Sequence, residues 1–303
     1  MRKKRSSLCP APCLLIVMDN TFCKLQKMNP IKKTVICGGT HGNELTGVYL
    51  AKKHGWLLAN PAAVAVCHRY IKKDLNRSFA LSSLRAKSEN LYAEELRALE
   101  INDLLGQKGT ENAPDLIIDI HNTTANMGIT LILSSKDPAL LGISAVMATE
   151  FKNVRIYLQP ESRDESPYLG TIAKRDICIE AGPQPHGTLN AELFFKVERI
   201  VFRILELVET WNNGNLRSLN KAETFQEVRS IDYPRDEQGN INAMVHPSLQ
   251  GRDFCELKAG MPVFVDFNGK EILWQGETCH PVFINEAAYY EKGVAMSLCC
   301  LLL

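Results

Sequence analysis

The apolar positions of this chain fall into runs with two different periods. Lys33 to Cys37 (KTVIC), Leu116 to Ile120 (LIIDI), Thr130 to Leu133, Val154 to Leu158 and Ile177 to Ile179 are short aliphatic and β-branched stretches. Such stretches are typical of strands covered on both faces. Between them lie segments with helical spacing. Glu44 to Lys53 carries Leu45, Val48 and Leu50 on one rough face, and 90–106 carries Leu91, Leu96, Leu99, Ile101, Leu104 and Leu105. Pro138 to Phe151 opens on a proline, which a first helical turn tolerates because that N–H has no partner. Leu193 to Thr210 is long and amphipathic. Alternating strands and helices predict an α/β domain around a largely buried sheet.

The texture changes near Trp211-Asn212-Asn213-Gly214-Asn215. Beyond it come short strand candidates, a turn at Gln238-Gly239, and prolines at 234, 247, 262 and 281. Phe267-Asn268-Gly269-Lys270 reads as a tight hairpin between Val263–Val265 and Ile272–Trp274. The expected organisation is a disordered tail over 1–31, an α/β domain over 32–214, and a smaller, mainly β domain over 215–303.

Composition adds exclusions. The 303 residues are 45% hydrophobic and 23% charged, an ordinary globular profile. A net charge of +1 gives no global attraction to nucleic acid or an acidic membrane. No apolar run approaches the roughly 18 residues of a membrane-spanning helix. Met1 to Arg5 precede Leu14 to Met18 in the outline of a signal peptide, but that apolar run is short and flanked by Pro10 and Pro12. The ten cysteines form no C-x-x-C pair, and Cys37 and Cys178 sit inside apolar runs. That usage predicts reduced thiols and a cytoplasmic location.

Four segments carry chemistry. His41-Gly42-Asn43-Glu44 follows a strand and two glycines, where a tight turn lets imidazole and carboxylate converge on one ion. Two histidines and one carboxylate suit Zn²⁺ and leave a fourth position open. Asp119 and His121 are two apart on a predicted strand and so share a face. Asp119 can orient either His121 or His41 as a partner of a metal-ligating imidazole. Glu180 ends a buried strand and is placed to take a proton from an attacking water. Arg69, Asp74, Asn76 and Arg77 form a basic loop whose planar guanidinium and amide donors suit a substrate carboxylate. Taken singly, each has a plainer reading: a strand-end histidine, a helix cap, an exposed basic turn. The sequons at Asn76 and Asn122 fall within these segments and read as chance matches.

Taken in order, GGTHGNELTGVYL, RYIKKDLNRSF, DIHNTTANMGITLIL, CIEAGPQPHGTL, IDYPRDEQGNI and PVFINEAAYYEKGVA resemble the aspartoacylase branch of the zinc carboxypeptidase-like hydrolases. The resemblance runs from about Lys33 to Val294. It implies a three-layer α/β/α domain with a mixed sheet, followed by a mainly β C-terminal domain that contributes to the active site. It implies one Zn²⁺ per subunit held by His41, Glu44 and His121, with Glu180 as catalytic base. Arg69 matches the residue that polarises the scissile carbonyl, Asn76 and Arg77 match the pair holding the substrate α-carboxylate, and Tyr289 matches a tyrosine arriving from the C-terminal domain. The implied substrate is a small N-acyl amino acid. The implied assembly is a homodimer or homotetramer, in the cytoplasm or peripherally at the plasma membrane (apical in epithelia).

Within that group, aspartoacylases proper carry an arginine about ten residues before the base, where this chain has Gly170. The chain therefore looks like the N-acyl-aromatic-amino-acid amidohydrolases, which also deacetylate mercapturates, unless Arg175 substitutes. The alternatives are an aspartoacylase, a true carboxypeptidase, and a shortened isoform acting only as a binding subunit. Two departures favour the last. Trp56-Leu57-Leu58-Ala59-Asn60-Pro61 follows the first helix almost at once, so a sheet strand is expected to be short or missing. The sequence reads Met296-Ser297-Leu298-Cys299-Cys300-Leu301-Leu302-Leu303 where relatives continue with another strand, and Cys300-Leu301-Leu302-Leu303 is formally a C-a-a-X prenylation signal, with Cys299 open to a second acyl chain.

Overall fold

The computed structural model describes residues 29–86, 90–159, 163–216 and 222–302. The basic start, the apolar run at Leu14 to Met18, most of the expected tail and Leu303 lie outside them. The elements are β1 (Thr34–Gly38), α1 (Leu45–His54), β2 (Leu57–Leu58), α2 (Pro61–Ala65), α3 (Leu81–Arg85), α4 (Ala93–Leu105), β3 (Leu116–Asn122), β4 (Gly128–Leu133), α5 (Pro138–Glu150), β5 (Val154–Leu158), β6 (Asp176–Gly182), α6 (Ala191–Asn212), β7 (Thr224–Ile231), β8 (Ala243–Val245), β9 (Pro262–Asp266), β10 (Glu271–Leu273), β11 (His280–Val282) and β12 (Met296–Leu302).

One sheet of nine strands runs in the order β11-β12-β7-β5-β4-β6-β3-β1-β2. It is mixed: β2, β1, β3 and β6 are parallel neighbours, whereas β4 is antiparallel to β6 and parallel to β5. A strand covered on both faces still alternates, and here the two faces differ in kind. Ile118 and Ile120 of β3, with Ile177, Ile179 and Ala181 of β6, join Ile143 of α5 and Ile200 and Ile204 of α6 in the main apolar core. Ile117 faces the other way, with Ile101 of α4, Leu75 and Phe79. Asp119 and His121 share the Ile117 face by period two, and Asp176, Cys178 and Glu180 form the matching stripe of β6. The polar face of the sheet is therefore written into β3 and β6 themselves.

The C-terminal region is mainly β, as expected, but it does not form a sheet of its own throughout. Only β8, β9 and β10 make a separate three-stranded sheet, with the expected hairpin at 267–270. β7, β11 and β12 extend the large sheet beyond β5. The texture change near residue 211 thus marks a change in helix content, not the end of the sheet.

Both departures have a structural resolution. The strand after α1 is present but reduced to two residues, pairing Leu57 and Leu58 with Cys37 and Gly38 at the sheet edge. Beyond it, Ala59 and Asn60 donate backbone hydrogen bonds to Gly38 and Gly39 and keep the chain beside β1. Cys300, Leu301 and Leu302 lie in β12, paired with Gln226, Phe225 and Thr224. Leu301 and Leu302 pack against two apolar clusters.

Candidate active site

The nine sequence-predicted residues meet in one pocket of about 810 Å³. His41, Glu44, Arg69, Asn76, Arg77, Asp119, His121, Glu180 and Tyr289 all form part of its wall. They come from four places: the β1–α1 turn, the loop before residue 77, the ends of β3 and β6, and the C-terminal segment. The β1–α1 turn closes tightly because Gly39 has φ +70°, and because a Cβ on Gly42 would stand 2.1 Å from the Ala63 carbonyl carbon.

At the centre, Glu44 joins the two histidines. His41 Nδ1 lies 2.7 Å from Glu44 Oε1, and His121 Nδ1 lies 2.9 Å from Glu44 Oε2. The two Nδ1 atoms are 3.1 Å apart. Each Nε2 faces its own buried carboxylate: His121 with Asp119 Oδ2 at 2.8 Å, His41 with Asp74 Oδ1 at 3.1 Å. Asp119 therefore serves His121, and Asp74 serves His41. Each carboxylate accepts an Nε2–H, which assigns an inward lone pair to both Nδ1 atoms. Two inward Nδ1 atoms and a carboxylate, with all three ligand atoms within 4.8 Å of one another, form a donor set that one metal ion can bridge. The same contacts also set the charge on these side chains. Burial disfavours charge on both groups, yet His41 and His121 hold Glu44 well below the usual carboxylate range. Burial also opposes protonation of His121, yet Asp119 and Glu44 hold it well above the usual imidazole range. This donor set fits a divalent ion of the zinc type.

Glu180 stands directly across the strand pair from His121. Burial pushes its carboxyl up to about 8; Glu44 and Glu286 add to the rise, against His121 and Arg69. Arg69 donates from Nη1 to Glu44 Oε1 at 3.0 Å, and its Nε lies 3.5 Å from Asp74 Oδ2. Burial opposes ionisation of Asp74, but His41 and Arg69 keep it a carboxylate. Asn76 accepts from the Leu169 N–H through Oδ1 at 2.8 Å, so its amide donors face elsewhere. The Arg77 guanidinium lies 4.7 Å from the centre of the Tyr168 ring. Tyr289 packs on Phe283, and burial raises its phenol.

Three residues that sequence reasoning passed over hold this arrangement. Asp74 is quoted with the basic loop but earns its place as the partner of His41. Glu286 is buried and accepts from Thr123 Oγ1, from Thr124 N at 2.8 Å and from Ala125 N at 3.1 Å. It thereby ties the Tyr289 segment to the turn that follows His121. Lys108, only 3% exposed, donates to Phe79 O at 2.9 Å, Ser166 O at 2.8 Å and Thr171 Oγ1 at 2.9 Å. Asp74 lies in Lys73-Asp74-Leu75-Asn76 and Lys108 in Gln107-Lys108-Gly109, both polar surroundings, so nothing local marks them as buried, and nothing local names a partner for Glu286. Arg175 does not supply a cation at Gly170: its Nε donates to Asp137 Oδ2 at 2.9 Å, at the cap of α5, and it is not in the pocket wall.

Comparison with known proteins agrees with this geometry. Residues 55–208 match the succinylglutamate desuccinylase/aspartoacylase catalytic domain, and residues 220–300 match the AstE/AspA barrel-sandwich hybrid domain. The chain is 41% identical to the human N-acyl-aromatic-L-amino acid amidohydrolase (carboxylate-forming), over 88% of this chain and 89% of that one. It is 42% identical to a probable aspartoacylase of Trichodesmium erythraeum, over 89% and 97%. The crystal structure of murine aminoacylase 3 superposes with a TM-score of 0.85 at 38% identity, covering 90% of this chain and 96% of that one. A sheet without gaps and a converged pocket leave the reading as a shortened binding subunit without support. The chain belongs to the succinylglutamate desuccinylase/aspartoacylase family.

Proposed function

We propose that this protein hydrolyses the amide bond of N-acyl amino acids, releasing a carboxylate and a free amino acid, and that its preferred substrates have aromatic or thioether side chains. The observation that carries the reading is the pair of inward Nδ1 atoms gathered on Glu44, one strand away from a buried carboxylate, Glu180. The relatives' names support the substrate class. His41, Glu44 and His121 would hold one zinc ion, which when bound supplies a Lewis acid for the acyl oxygen and lowers the pKa of water. Asp74 and Asp119 fix the tautomer of each imidazole. Glu180 takes the proton of the attacking water and gives it to the leaving amine. Arg69 turns its charge toward the oxygen on which negative charge develops. Asn76 and Arg77 bind the α-carboxylate, and Tyr289 closes the pocket over the substrate. That closure disfavours a carboxypeptidase role, because a long peptide needs an open cleft.

The test is to purify the protein, measure bound zinc, and assay N-acetyl-aspartate, an N-acetyl aromatic amino acid and an N-acetyl cysteine conjugate side by side. Zinc near one per chain and turnover of the last two are expected. Glu180→Gln should keep the zinc and lower kcat by about 10²- to 10⁴-fold. Preference for N-acetyl-aspartate would overturn the substrate assignment, and absence of turnover would overturn the enzyme.

A further inference from the structure

The stripe of β6 that carries Glu180 continues away from the metal ligands through Cys178 to Asp176, and all three side chains are in the pocket wall. Between Glu180 and Asp176 the strand spans about 13 Å. The middle of this stretch is apolar, lined by Ile132 and Cys178, and its far end is polar, at Ser134, Gln159 and Asp176. Asp176 is only 7% exposed. Its Oδ1 accepts from Ser134 Oγ at 2.5 Å and from Arg163 Nη1 at 2.6 Å, and its Oδ2 has no hydrogen-bond partner among the described residues. Arg163 is not in the pocket wall; its Nη2 donates to the Ala173 carbonyl. The cation thus binds Oδ1 from outside the pocket wall, while Asp176 itself is part of that wall and its Oδ2 is left without a hydrogen-bond partner among the described residues.

Gly170 belongs to the same corner. A Cβ there would stand 2.9 Å from Asp176 Cβ and 3.3 Å from Asp176 Oδ2. The place where a side chain from residue 170 would reach the cavity is filled by an anion from β6. The Arg77–Tyr168 stack adjoins this corner through the segment Tyr168-Leu169-Gly170. A substrate whose α-carboxylate lies at Asn76 and Arg77 therefore sends its side chain over Cys178 toward Asp176.

We infer that Asp176 makes the end of this pocket a hydrogen-bond-accepting subsite that selects N-acyl amino acids with a donor at the tip of a long, flat side chain, and that excludes side chains ending in an anion. The phenol of an N-acyl-tyrosine meets both demands: its ring crosses the apolar stretch, and its O–H reaches Oδ2. An aspartate side chain ends over Ile132 and Cys178, with no cation to meet it and Asp176 beyond. This inference rests on the amidohydrolase reading above and narrows it.

The experiment compares kcat/KM for N-acetyl-tyrosine, N-acetyl-phenylalanine and N-acetyl-4-carboxyphenylalanine in the wild type, Asp176→Asn and Asp176→Ala. In the wild type the tyrosine derivative should exceed phenylalanine about tenfold, as expected for a hydrogen bond to a charged group, and the carboxy derivative should fall below both. In Asp176→Ala the tyrosine-to-phenylalanine ratio should fall toward one. In Asp176→Asn, which keeps an acceptor without the charge, the carboxy derivative should gain on phenylalanine about tenfold. The wild-type series stands even where a variant folds poorly. Equal rates for all three substrates in the wild type, or unchanged ratios in both variants, overturn the subsite but leave the hydrolase. Failure to turn over any of them overturns the hydrolase and this subsite with it.

Discussion

The two walls of the pocket are held in place by different means. On one side, Asp119, His121, Cys178 and Glu180 stand on β3 and β6, parallel neighbours with further strands on either side. Their directions follow from the pleat and the backbone ladder, and Asp119 and Glu44 then hold the His121 ring. On the other side, Arg69, Asn76, Arg77, Tyr168 and Tyr289 stand on loops and short 3₁₀ turns. That wall is tied by single buried ions: Lys108 under Phe79, Ser166 and Thr171, Glu286 under the Tyr289 segment, and Asp253 between Asn126 and Ile284. A buried ion is costly unless its hydrogen bonds are satisfied, so each of these ties works as a unit or not at all. The sheet wall should therefore fail through chemistry, and the loop wall through position.

The largest effect is expected on the sheet wall. His121→Ala removes an inward lone pair and should lower zinc affinity more than about a hundredfold, with matching loss of turnover and an unchanged circular dichroism spectrum. A zinc content that survives dialysis would break the contrast. Glu286→Ala comes next. It leaves buried N–H groups of Thr124 and Ala125 without their acceptor and should cost about 3 kcal/mol of stability by denaturant titration, while zinc still binds. Lys108→Met should cost about 2 kcal/mol and raise KM more than it lowers kcat, because the carboxylate-binding loop loosens while Glu180 stays in place. A fall in kcat alone would mean that Lys108 acts on the sheet wall instead.

The last effect is a pH dependence. Burial raises the Asp253 carboxyl to about 6, against backbone hydrogen bonds from Ile284 and Asn126. Its folded value lies above the ordinary one, so between about pH 4 and pH 6 the folded state binds the extra proton. Stability from this group is fully present below about pH 4 and is lost as pH rises through about 6, by up to roughly 3 kcal/mol. Unfolding free energies of the wild type minus those of Asp253→Asn should show that downward slope, and a flat difference would remove Asp253 from the set of ties.

Much of the sheet wall was legible in the sequence. The runs at Lys33, Leu116 and Ile177 are strands, and the spacing of Asp119 and His121 alone puts both on one face. The same period extends from Glu180 through Cys178 to Asp176, yet Asp176 was passed over because the apolar run begins only at Ile177. The loop wall was readable only through the family resemblance. Periodicity does not encode which residue meets Asp74, Lys108 or Glu286, since their partners lie tens of residues away. Strands such as β2 and β11 are too short to leave a pattern. The membership of β7 and β12 in the large sheet is likewise a matter of long-range pairing, so the change of texture after α6 looked like an end of the sheet.

β12 sits between β7 and β11, although it comes after both in sequence and is the last of the described strands. During synthesis, the histidines, Glu44 and Glu180 all leave the ribosome before it, and so does Tyr289. Until β12 arrives, β7 presents an open edge and β11 has no neighbour in the large sheet. Folding from the N-terminus can therefore assemble the metal ligands early, but the sheet closes only when β12 slots in between β7 and β11. A pause late in translation would leave that edge uncovered and free to pair with another nascent chain.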